Sequence, residues 1–232
     1  SNDTSGKSKQ DLLNNMWRNQ CINDTYEPGS TFKIVTATAA LSENLVSLDS
    51  TFNCPGFVVV DDRRIRCHKT TGHGSQDFVH GTMNSCNPVF VNVGLRVGVK
   101  KFYNYMDKLG LLKTTGIDLP GEAGTIIHKQ KNVGNVELAT MSFGQSFQIT
   151  PVQFLTAASA IVNGGNLVTP HFGVEIRNEN NETVKKLKYN ELNNTLDEKI
   201  YENMIDYAYD LGIRNCFVQE QDSKGKCFIP DL

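Results

Sequence analysis

No apolar run in the 232-residue chain approaches the roughly eighteen residues that a membrane-spanning helix needs. Charge of one sign is also lacking. The formal net charge is −2, which leaves no electrostatic case for a nucleic acid partner or an anionic membrane surface. Ser1 to Gln10 is polar throughout, so the start does not read as a secretory signal. Ser1-Asn2 reads as an expression scar, and the chain is expected to be a soluble piece of a longer protein whose anchor lies elsewhere. Repeats and low-complexity stretches are missing too. What is present is globular: 39% apolar and 21% charged residues, in a length for which one domain, 1–232, is the default. Such a chain buries roughly three quarters of its unfolded surface.

Lys9 to Asn19 carries Leu12, Leu13, Met16 and Trp17 at helical spacing and predicts a short amphipathic helix. Pro28-Gly29 marks a turn. Ser30 to Leu45 reads as a buried helix, and 50–84 as irregular, with a short strand over Phe57 to Val60. Helices are expected over Asn87 to Gly98 and Val99 to Leu109, broken near Gly98. Thr115 to Gly124 reads as a loop, and Leu138 to Gln145 as a loop or short helix. Thr150-Pro151 opens a helix to Val162, with proline at the favoured first position. Two strands between Val168 and Leu187, joined by a turn at Asn178 to Asn181, and a helix over Asp197 to Gly212 complete the reading. The tail from Ile213 has no clear period.

The chemistry concentrates in Tyr26-Glu27-Pro28-Gly29-Ser30-Thr31-Phe32-Lys33. Residues three apart share a helix face, so Ser30 and Lys33 meet. A serine at a helix start lies near unpaired N–H groups and the positive end of the dipole, which suits a developing oxyanion. Phe32, Ile34 and Val35 flank Lys33 and would desolvate it, lowering its pKa and making a neutral amine available as a base. A lone Ser-x-x-Lys pair is a weak signal; its plain reading is a helix-start serine beside a solvated lysine. Ser85-Cys86-Asn87 adds a second hydroxyl and an amide. Glu27 could bias Lys33 or simply favour a helix start. Gly144 and Gln145 could shape a cleft floor or merely pack.

Asn84-Ser85-Cys86-Asn87-Pro88-Val89-Phe90, Thr115-Gly116-Ile117-Asp118-Leu119-Pro120-Gly121-Glu122, Ser142-Phe143-Gly144-Gln145 and Thr150-Pro151-Val152-Gln153 follow the first motif in order. Together they resemble the transpeptidase domain of class B penicillin-binding proteins, from about Trp17 to Phe172 and more weakly beyond. The resemblance implies the α-rich portion of the α/β penicillin-binding and serine β-lactamase-like fold. It implies that Ser30 is the acylated nucleophile and Lys33 its base, that Ser85 shuttles the proton, and that Asn87 holds the substrate amide. It implies transfer of a stem-peptide acyl group from D-Ala-D-Ala to a neighbouring amine in peptidoglycan, and acylation of the same serine by β-lactams. The implied parent protein is anchored in a bacterial membrane with this domain outside the cytoplasm, near a partner glycosyltransferase, in elongation, division or sporulation.

The family's third motif, Lys-Thr/Ser-Gly on a central strand, has no counterpart in a strand-like context. Lys69-Thr70-Thr71-Gly72 and Lys113-Thr114-Thr115-Gly116 match only superficially. Gly225 to Pro230 resembles the stretch preceding that motif, so most of the central antiparallel sheet is expected to be missing from this chain. Little transpeptidation and weak acylation would follow. A non-catalytic penicillin-binding sensor or scaffold and a serine β-lactamase-like hydrolase are the competing readings. The flanks of Ser85-Cys86-Asn87 and the Thr115 to Glu122 loop favour a transpeptidase.

Six cysteines remain: 21, 54, 67, 86, 216 and 227. Cys54, Cys67, His73 and Cys86 follow C-x12-C-x5-H-x12-C, a Cys3His set suited to structural zinc. No C-x2-C knuckle supports it, and buried free thiols or a Cys54–Cys67 disulfide are the plain alternatives. His68, His80, Asp61 and Asp62 are fallback ligands. Some penicillin-binding proteins resemble this chain in carrying zinc here, with one ligand inside the Ser-x-Asn motif; others use aspartates, so three thiolates are a departure. Cys216 and Cys227 could pair or stay free, and Cys21 reads as a plain residue.

Overall fold

The computed structural model describes residues 8–189 and the short strands Glu191–Leu192, Gln219–Gln221 and Cys227–Phe228. Helix α1, Lys9–Trp17, begins on a Ser8 capping box and buries none of its residues. The expected amphipathic helix is therefore present, but its apolar side is not part of the core. A short α2, Gln20–Asn23, follows.

The expected helix from Ser30 is two elements. Gly29–Phe32 is a 3-10 turn and α3 is Lys33–Ser42. The 3-10 geometry serves the Ser30–Lys33 pair better than an α-helix would, because side chains three apart eclipse in it. Every residue of α3 from Val35 to Leu41 is buried, so it is a core helix rather than a surface one.

Residues 50–84 hold more order than their glycines suggest. Strands β1, Phe52–Cys54, and β4, Gly74–Gln76, pair antiparallel around a second hairpin of β2, Phe57–Val60, and β3, Arg63–Arg66. Helix α4, Phe78–Met83, leads to Ser85. Helix α5, Asn87–Lys108, is interrupted at Gly98, whose φ of 74° is non-helical, so it is two helical segments joined by a kink at the expected break. Helix α6, Asn135–Met141, ends just before Ser142. Helix α7, Pro151–Val162, is capped by Thr150, whose hydroxyl accepts from Gln153 N–H. Strands β5, Leu167–Val168, β6, Glu175–Arg177, and β7, Thr183–Lys186, follow, β6 and β7 forming the expected hairpin.

Helix α3 packs along α5, and α5 along α6. Phe32, Phe90, Phe102, Met106 and Met141 are fully buried where these helices meet. At one crossing Gly94 of α5 lies so close to Ser142 that a Cβ there would sit 2.4 Å from the serine Cβ. All sheets among the described residues are two-stranded, so the fold is helix-dominated with small β pieces at its margins. The expected helix over 197–212 and Cys216 lie outside the described residues. The tail, which has no readable period, pairs Gln219–Gln221 with Cys227–Phe228. No helix among the described residues is long and apolar enough to cross a membrane.

Candidate acyl-transfer site and metal centre

Four candidate residues converge on one atom. Lys33 Nζ lies 3.1 Å from Ser30 Oγ, 2.9 Å from Ser85 Oγ, 2.9 Å from Asn87 Oδ1 and 2.7 Å from the Ser85 carbonyl oxygen. Lys33 is 4% exposed, whereas Ser30 faces solvent. Burial lowers the Lys33 pKa to about 8, against the opposing pull of nearby Cys86 and Cys67 charge. The partner set suits a neutral amine. Two partners, the Ser85 carbonyl and Asn87 Oδ1, only accept, and they take its two N–H groups. The lone pair is then left for a hydroxyl proton from Ser30 or Ser85.

The local chain explains the convergence. Ser85 follows α4 in a left-handed conformation, φ 46°, unusual for a residue with a side chain. Ser85 and Cys86 N–H groups close that turn on the Thr82 and Gly81 carbonyls. Asn87 then starts α5, and its Nδ2 donates to the Arg66 carbonyl at 3.2 Å, which fixes the amide so that Oδ1 faces Lys33.

The turn bearing Ser30 is braced from behind. Gly29 N–H donates to the Gly144 carbonyl, Tyr26 and Ile149 exchange two backbone bonds, and Ser146 N–H donates to Glu27 Oε1 at 2.9 Å. A Cβ on Gly144 would lie 2.1 Å from the Gly29 carbonyl oxygen, and φ there is +81°. Gly144 thus floors the Ser30 turn, while Gln145 is exposed. Glu27 braces this loop, and Lys33 Nζ instead meets Ser30, Ser85 and Asn87. The carbonyls of Ser85 and Arg66 could not be read from sequence, because any residue supplies a carbonyl.

The remaining motif segments are scaffold. Glu122 accepts from Thr115 N–H, Thr115 Oγ1 and Gly116 N–H. Gln153 Nε2 reaches the Lys113 carbonyl at 2.7 Å. Lys113 to Gly116 is therefore a clamped loop, and Lys69 to Gly72 is a turn. Neither is the strand that a third motif would need.

Cys54, Cys67, His73 and Cys86 bring their ligand atoms within 4.8 Å of one another. Zinc–sulfur bonds of about 2.3 Å in a tetrahedron place sulfurs roughly 3.8 Å apart, so the residues fit the ion with small adjustment. All three are free thiols, which leaves no Cys54–Cys67 disulfide. Burial raises the Cys54 pKa, but N–H groups of His73 and Gly56 outweigh it and lower the net value. Burial, then the charges of His68 and Lys69, lower the His73 pKa and keep it a neutral ligand. Burial pushes the Cys86 thiol to about 12, an effect that a coordinated dication reverses. Of the fallback ligands, His80 instead pairs with Asp77, and Asp61 accepts from Asn135. His68, Asp62 and Cys21 are exposed.

Residues 1–209 match the family model of the penicillin-binding protein transpeptidase domain. The chain belongs to this family. Stage V sporulation protein D of Bacillus subtilis is 47% identical over 171 residues, covering 73% of this chain and 26% of that protein. Peptidoglycan D,D-transpeptidase MrdA of Haemophilus influenzae is 30% identical over 174 residues, covering 69% of this chain and 27% of that protein. The chain therefore spans about a quarter of the length of those relatives. Among solved structures, the D,D-transpeptidase domain from Eggerthella lenta superposes with a TM-score of 0.78 at 22% identity, covering 88% of this chain and 54% of that one. Penicillin-binding protein 3 of Mycobacterium tuberculosis, complexed with aztreonam, gives 0.75 at 22% identity over 89% of this chain and 44% of that one. These two likenesses carry the fold, and the helix-rich chain is part of that fold.

Proposed function

We propose that this chain carries the acylation machinery of a peptidoglycan D,D-transpeptidase, with Ser30 as nucleophile. The observation that supports it best is the buried Lys33 amine held at hydrogen-bond distance from Ser30, Ser85 and Asn87 at once. Ser30 Oγ attacks the carbonyl of the penultimate D-Ala and gives its proton to Lys33 Nζ. Ser85, on the same amine, relays that proton to the departing D-Ala nitrogen as the peptide bond breaks. An acceptor amine then attacks the acyl-Ser30 ester, loses a proton through the same relay, and releases Ser30. Asn87 Nδ2 is committed to Arg66 and its Oδ1 to Lys33, so Asn87 first orients the amine and contacts the substrate amide only if one bond exchanges. β-Lactams acylate the same oxygen.

Cys54, Cys67, His73 and Cys86 would hold a zinc ion whose chemistry is structural. Four protein ligands close the coordination sphere and leave no open position for substrate. Through Cys86, that centre sets where Ser85 and Asn87 stand. The whole protein acts outside the cytoplasm at a bacterial membrane, beside a glycosyltransferase that supplies glycan strands. The similarity to stage V sporulation protein D supports a role in sporulation over one in general growth.

Intact-mass spectrometry with benzylpenicillin tests the reading. A covalent adduct of the parent chain, absent in Ser30→Ala, is expected. An adduct that survives in Ser30→Ala, or none in the folded parent, overturns it. Fast loss of the adduct by hydrolysis would assign a β-lactamase instead.

A further inference from the structure

The β2–β3 hairpin has two unlike faces. Val58, Val60 and Ile65 pack against the core. The opposite face carries Phe57, Val59, Arg64 and Arg66, with Val59 58% exposed. The Arg64 guanidinium lies 3.7 Å over the Phe57 ring. Among the described residues neither Arg64 nor Arg66 has a carboxylate partner; Asp62, at the turn, pairs with Arg63, which register places on the other face.

Register also shows what the outer edge of β3 offers. Cys67 N–H donates to the Gly56 carbonyl, so the pairs Phe57↔Arg66 and Val59↔Arg64 are the non-hydrogen-bonded ones. Arg64 and Arg66 therefore turn their N–H and C=O groups away from β2. The Arg66 carbonyl is taken by Asn87 Nδ2. The Arg66 N–H and both backbone groups of Arg64 have no partner among the described residues. Among the described residues an open strand edge thus runs out from Asn87, flanked by two guanidinium groups without a carboxylate partner.

We propose that the outer edge of β3 binds the peptide of the acyl acceptor as an added strand, with Arg64 and Arg66 pairing its carboxylates. The proposal rests on the transpeptidase reading. Continuity with Asn87 leads such a strand toward the nucleophile. Strand addition supplies main-chain bonds, and the arginines supply selectivity, since a guanidinium matches a carboxylate with two parallel bonds.

The probe is fluorescein-labelled L-Ala-γ-D-Glu-L-Lys, titrated by anisotropy into the 232-residue chain. Binding that weakens at least tenfold in Arg64→Ala, in Arg66→Ala and on amidation of the glutamate carboxylate is expected. N-methylation of one probe amide should weaken it further. Arg64→Lys should restore part of the loss. Equal binding by parent and variants, or indifference to amidation, overturns the proposal. So does self-association of Arg64→Ala with unchanged probe binding, which would make the arginines guards of a bare edge. Competition by inorganic phosphate without peptide binding would assign the face to phosphate and also overturn it. β-Lactam acylation of the parent, read separately by mass, fails only if the transpeptidase reading fails.

Discussion

The Ser30 turn and the cysteine-bearing lobe lie on either side of Lys33 and are held by different physics. The turn at Ser30 runs straight into α3, whose residues are buried against α5, and it is floored by the 142–149 segment. The lobe of residues 50–86 has two small hairpins and few core side chains, and a cluster of thiols lies at its centre. The first region is stabilised by apolar burial, which needs no added component. The second has a smaller apolar core, built on Phe52, Val60 and Phe78, and would gain order from a metal held by its three cysteines and His73. Ser30 belongs to the first and Ser85 to the second. The proposed site therefore needs the two pieces to stay in register.

Removing the proposed zinc should separate them most sharply. Structural zinc contributes on the order of 10 kcal/mol in small sites. Chelation, or Cys67→Ser, should unfold the lobe and lower the melting temperature by many degrees, with hydrogen exchange rising over 50–86 before it rises in α3. Uniform exchange would mean that the two regions are one cooperative unit. Lys33→Met should act on chemistry alone. Loss of the base should cut the Ser30 acylation rate by about 10²–10⁴-fold, with melting temperature unchanged or raised because a buried amine is gone. A large fall in melting temperature would show that Lys33 is a structural tie between the regions. In the parent, acylation should rise about tenfold per pH unit below about 8 and level off above it, since the neutral amine is the active form. A flat profile would remove Lys33 as the base. Smallest should be Gly144→Ala. Its methyl would meet the Gly29 carbonyl, so a loss of roughly 1–3 kcal/mol is expected, with slower acylation and unaltered metal content.

The two regions were also unequally legible in sequence. Ser30, Lys33, Ser85 and Asn87 meet as their motifs imply, because a three-residue spacing on a helical turn and a rigid α5 leave little freedom. The break at Gly98 and the cap at Thr150 were readable for the same reason: each depends on one local residue type. The lobe was read as irregular except for Phe57 to Val60. Strands β1, β3 and β4 are too short to show a period, and Arg63 to Arg66 is mostly polar on a face the sequence gives no reason to expect. Its cysteine spacing still predicted the cluster, since ligands carry their own chemistry. What could not be read was the backbone: the carbonyls holding Lys33 and Asn87, and the floor under Gly29. The 3-10 turn at Ser30 was missed because its residues suit either helix type.

Gly94 links the two regions at a distance from both. It lies on α5, whose first residue is Asn87, and touches Ser142, which opens the segment ending under Gly29. One missing side chain therefore sets the separation of two levers. A methyl group there would push Asn87 and the Ser30 turn apart together. The spacing between Asn87 and Ser30 is written in a position that touches neither of them.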